Sequence, residues 1–158
     1  MTENYLVILE ESLRRKLQVL EDIQAYNQRQ QEIFQADNVD LDQFDSYVDE
    51  KGVLIERLNS LDNGFERLYA NVAQELSGNR EKYGDQIKRL QGLVSKVTEA
   101  GIAVQAQEAR NKKLIEEYFR RQREGIREGR KSSKAAFDYY KNMSKSSVVM
   151  PQIMDQKK

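Results

Sequence analysis

Apolar residues recur at three- and four-residue steps along most of the chain. From about residue 2 to residue 36, Leu6, Leu9, Leu13, Leu17, Leu20, Ile23 and Phe34 fall on one side of a helix. Asp37-Asn38 interrupts that stripe with two residues that favour turns and caps. Asp40 then supplies an N-cap, with Gln43 placed to reach back in a variant of the capping box and Val39 and Phe44 spaced as a hydrophobic staple. A second stripe, from Leu41, Phe44 and Val48 through Leu54, Leu58, Leu61, Phe65 and Leu68 to Val72 and Leu76, predicts a helix over about 40–77. Gly78 reads as its stop and Asn79 as a candidate cap for the next helix.

The third stripe spans about 80–141 and carries Ile87, Leu90, Val94, Val97, Val104, Leu114, Ile115, Tyr118, Phe119, Ile126, Phe137 and Tyr140. Glycines interrupt it, each costing ~1 kcal/mol relative to alanine in an exposed helix, so a kink or extension is expected near Gly125–Gly129. Residues 142–158, polar and containing Pro151, are expected to form a flexible tail. No segment alternates with period two, and short links join antiparallel neighbours. The expectation is therefore an all-α fold: a three-helix antiparallel bundle in one domain, 1–141, with a long third helix.

Composition narrows the chemistry. The 158 residues include no His, Cys or Trp. Zinc sites, thiol nucleophiles, Ser-His relays and Glu-x-x-His di-iron sites all need residues the chain lacks. Carboxylates such as Asp42, Asp45, Asp49 and Glu50 read as solvated helix surface, since no EF-hand loop surrounds them. No enzyme activity, metal or cofactor is expected. Apolar runs fall far short of the ~18 residues of a membrane span, and the acidic N-terminus does not read as a signal peptide, so a cytoplasmic protein is expected.

The net charge of zero hides an asymmetry. Residues 1–79 carry 7 basic and 16 acidic side chains, a net −9, whereas residues 80–158 carry 19 and 10, a net +9. Residues 110–134 concentrate 10 basic against 4 acidic side chains. Such a cluster can bind phosphate, but Glu116, Glu117, Glu124 and Glu128 interleave at ion-pair spacings, so a solvated helix face outweighs nucleic-acid binding.

Helix lengths carry the functional expectation. At 1.5 Å per residue the first two helices reach roughly 50–57 Å and an unbroken third roughly 90 Å. The third draws level with the start of the second near Tyr118, and its remainder projects with Phe119, Ile126, Phe137 and Tyr140 among arginines and lysines. Covering each such side chain is worth ~1.5–3 kcal/mol, so the stripe seeks a surface: the chain's own hairpin, a second copy or another protein. A homo-oligomeric coiled-coil scaffold and, less favoured, a nucleic-acid-associated helical protein are the alternatives to a helix-binding module.

Several strings resemble the FlgN-type flagellar export chaperones. Lys51 followed by Leu54, Leu58 and Leu61, then Phe65-Glu66-Arg67-Leu68, is similar to that family's spaced Lys-Leu-Leu-Leu stretch. Asn111-Lys112-Lys113-Leu114-Ile115 resembles its Asn before a Leu-Leu-type pair, and Phe137 to Tyr140 its Tyr-rich segment ahead of a polar tail. The family's Tyr-Gly ending is absent, which leaves sister chaperones of the same export system open. The resemblance implies a cytoplasmic chaperone without ATPase activity that binds the helical C-terminal part of hook-associated (hook–filament junction) proteins, prevents premature assembly and hands them to the type III export gate. It also implies partner contacts at Leu114, Ile115, Tyr118 and Phe119, and beyond them at Ile126, Phe137 and Tyr140; the unpartnered stripe, apart from the resemblance, adds weak homo-oligomerisation as an expectation.

Overall fold

The computed structural model describes residues 2–125. Three α-helices succeed one another: α1, Thr2–Gln35; α2, Leu41–Gly78; and α3, Gly84–Gly125. They form an antiparallel bundle in which α3 runs parallel to α1. The backbone of α1 approaches both neighbours closely, while those of α2 and α3 lie farther from each other.

Each end of α2 is fixed by a side chain. Asp40 is extended, with φ −91° and ψ 92°, and its Oδ1 accepts from the Gln43 N–H at 3.0 Å. That satisfies one of the donors a helix start leaves unpaired. Phe44, the predicted staple residue, is completely buried, and Val39 is half-buried. At the other end Asn79 corrects the sequence reading. Instead of capping the next helix, it closes α2: its N–H donates to Leu76 O at 3.3 Å and its side-chain Nδ2 to Glu75 O at 3.0 Å. A single turn then carries the chain through 79–83, so α3 starts at Gly84 rather than near residue 80.

Gly84 and Gly92 lie within α3 and do not break it, and a methyl group at either would meet nothing within 4 Å. The kink expected at Gly125–Gly129 falls at and beyond the last described residue. The expected helix over 126–141, the domain limit at 141 and the tail over 142–158 lie outside the described residues.

The main core runs along the predicted stripes. Leu6, Leu9, Leu13, Leu20 and Ile23 of α1 meet Leu54, Leu58, Phe65, Val72 and Leu76 of α2 and Leu90, Val94, Val97 and Val104 of α3. Tyr83, from the turn, closes this end, its hydroxyl donating to Glu75 Oε1 at 3.3 Å, and the Thr2 hydroxyl donates to the same carboxylate. Within the core Lys16 is buried and its Nζ lies 2.6 Å from Asp62 Oδ1. Burial raises the Asp62 carboxyl above its ordinary value, with Lys16 opposing.

Candidate protein-binding site

At one level of the bundle all three apolar stripes lapse together. On α1, Asn27 and Gln30 stand between Ile23 and Phe34; on α2, Lys51 stands between Val48 and Leu54; on α3, Glu108 and Asn111 stand between Val104 and Ile115. All five are buried. Lys51, with no exposed surface, sends Nζ to Gln30 Oε1 at 2.9 Å and lies 2.6 Å from Glu108 Oε1. Asn111 Nδ2 donates to the Asn27 carbonyl at 2.9 Å, and Gln107 Nε2 to the Gln24 carbonyl at 3.3 Å. Burial drives the Lys51 ammonium below its ordinary range, against the pull of Glu108. The satisfaction is incomplete: Asn27 Oδ1, Gln30 Nε2 and Glu108 Oε2 have no hydrogen-bond partner among the described residues. A buried polar layer thus spans the bundle.

Beyond it lies a second, smaller core. Phe44, Ile115 and Phe119 are buried together, with Ile33, Phe34, Leu41, Val48 and Tyr118 packed around them. The Phe34 ring meets Phe44 edge-on at 5.0 Å and Tyr118 at 5.4 Å, and Tyr118 meets Phe119 at 5.3 Å. Tyr118 therefore sits level with the end of α1 and the start of α2, where the helix lengths place it.

Phe119, expected in a projecting part, is instead 2% exposed, as is Ile115. The first turn of α2 reaches over them, and Phe44 fills the space between. In this arrangement neither side chain is open to a partner. Leu114 and Tyr118 are half-buried and form a second row on α3, one turn apart. Gln122, one turn further on, is half-buried as well. Ile126, Phe137 and Tyr140 lie outside the described residues. An open concavity borders the row, lined by Lys113, Leu114, Glu117, Arg120 and Arg123.

The charges here pair locally. Arg120 Nη2 lies 2.5 Å from Glu117 Oε1 and its Nη1 3.4 Å from Glu124 Oε1, while Arg121 Nε lies 3.9 Å from Glu117 Oε1. The Arg120 hydrogen bond holds the Glu117 carboxyl below its ordinary value. These are the ion pairs that the interleaved sequence predicts, with Glu116 absent from them and Glu128 beyond the described residues. Among the described residues no cluster of acidic side chains forms a metal-binding group, and no helix is long and apolar enough to cross a membrane.

The spacing of apolar positions does not point to the polar layer, although a signal for it exists: the stripes lapse at matching heights once the helices are threaded up, down and up. Two of its members, Lys51 and Asn111, head the strings that carry the family resemblance. Comparison with known families gives a match over residues 3–137 to the family described as FlgN protein. No curated protein and no solved structure matches the chain.

Proposed function

Because the chain belongs to the FlgN family, a family of flagellar export chaperones and not of enzymes, we propose that it binds the helical C-terminal part of hook-associated proteins in the cytoplasm. It keeps them from assembling early and passes them to the type III export gate. The contact residues are Leu114 and Tyr118 of α3 and, in the sequence after α3, Ile126, Phe137 and Tyr140. The observation that carries this reading is the Leu114–Tyr118 row, half-open at the end of the bundle and continued by the sequence beyond it. A client helix laid on that row buries apolar surface on both partners, and the flanking Lys and Arg steer its approach.

Local pairing of Arg120 and Arg121 with Glu117 and Glu124 favours a protein partner over nucleic acid, since phosphate contacts need cations not already matched by carboxylates. Light scattering on the full chain mixed with a purified hook-associated protein tests the proposal. The expected result is a 1:1 complex whose affinity falls at least about tenfold (~1.4 kcal/mol) in the Leu114→Glu/Ile126→Glu variant. Unchanged affinity in that variant overturns the assigned surface. A stable self-assembly with no complex overturns the function in favour of a scaffold.

A further inference from the structure

The buried polar layer divides α3 into two parts with different ties to the bundle. Below the layer α3 packs through Leu90, Val94, Val97 and Val104 into the main core; above it, the buried apolar anchors are Ile115 and Phe119. The layer itself joins them weakly, because a buried ion pair repays most of its attraction in desolvation and three of the layer's polar atoms have no hydrogen-bond partner among the described residues. Connectivity then decides which element moves. At this end α1 and α2 are tied by residues 36–40, whereas α3 reaches it by its C-terminal half, remote from the 79–83 turn.

We propose that the polar layer is a hinge line: residues 112–125 of α3 detach above it while the main core stays closed, and the uncovered socket of Phe34, Leu41, Phe44 and Val48 receives an amphipathic helix of the client. This rests on the proposed function for the identity of the partner. The socket's present filling defines what fits it, an Ile and a Phe one helical turn apart. The link between Phe34 and Leu41 adds the exposed acids Asp37 and Asp40, so the incoming helix carries two bulky apolar residues one turn apart with a basic residue at the end that meets the link. Ile115 and Phe119 thereby keep a part in binding: they cover the socket until the client replaces them.

Native-state hydrogen exchange on the full chain, monitored by mass spectrometry, tests the hinge without any client. Amides of residues 112–122 are expected to exchange at least about 100-fold faster than those of 90–104. The Lys51→Met/Glu108→Leu variant fuses the two cores with apolar packing. It is expected to stay folded by circular dichroism, to slow exchange at 112–122 at least about tenfold, and to slow association with a hook-associated protein by a similar factor. Equal protection along α3 in the unmodified chain overturns the hinge, and needs no variant to do so. Slowed exchange with unaltered association overturns the socket, as does a dimer formed by exchange of α3 ends between copies. If the unmodified chain binds no hook-associated protein, the proposed function fails and takes the named occupant with it, while the exchange contrast still decides the hinge.

Discussion

Glu10 lies between two arginines, and its behaviour depends on which one holds it better. Arg89 Nε, across the α1–α3 interface, donates at 2.8 Å; Arg14, one turn along the same helix, is at 3.4 Å. The Arg89 hydrogen bond is the main reason the Glu10 carboxyl sits below its ordinary value near 4.5, with desolvation opposing it. A depressed carboxyl contributes stability that is present above its unfolded value and lost as pH falls through its folded one. Because Arg89 is half exposed, the contribution is at most about 1 kcal/mol. Urea denaturation of the unmodified chain and Glu10→Gln should differ by that amount at neutral pH, converge as pH falls below 4.5, and converge also in about 0.5 M salt. Asn79 illustrates the opposite limit of residue-level reading. An Asn after Gly between two helices serves equally as the end of one or the start of the next, and only the placement of the next turn selects the first.

Element by element, the apolar spacing is sufficient to locate three helices because each buries most of its stripe in a shared main core. Leu58, with no exposed surface at the centre of α2, shows what that burial is worth. Leu58→Ala removes three carbons and leaves a cavity, and should cost about 2–5 kcal/mol in urea denaturation. Ile8→Ser, on the same bundle but half exposed, should stay within about 0.5 kcal/mol. A loss below about 1 kcal/mol at Leu58 would mean that the helices do not share this core. Two features are not legible from spacing. The inward turn of Phe119 depends on Phe44, separated from it by 75 positions and brought near only by the antiparallel return of α2. The polar layer escapes for a different reason: a pattern of apolar positions registers Lys51, Glu108 and Asn111 as gaps, and a gap in one stripe looks like surface until its counterparts in the other helices are seen at the same height.

For the molecule as a whole, Lys51 and Glu108 form the ion pair of the layer between the two cores, and their removal singly or together has opposite signs. Lys51→Ala leaves the Glu108 carboxylate buried without the cation 2.6 Å away and should cost about 3–5 kcal/mol. Replacing both by Met and Leu removes two desolvation penalties at once and should be neutral or stabilising by about 1–4 kcal/mol. The pH dependence separates this from simple repacking. Burial lowers the Lys51 ammonium from its ordinary value of 10.5, so between the lowered value and 10.5 the unfolded chain holds a proton that the folded chain does not. More protons on the unfolded side means stability rises with pH through that window. Tyr69, raised by burial, acts in the opposite sense above about pH 10, but it is common to both proteins and cancels in the difference. The stability of the Met/Leu variant minus that of the unmodified chain should therefore shrink as pH climbs toward 10.5, and guanidinium melts over the alkaline range would measure it. A difference independent of pH would mean that Lys51 keeps its proton as easily inside the bundle as in water, and the layer would then impose no desolvation cost at its cation.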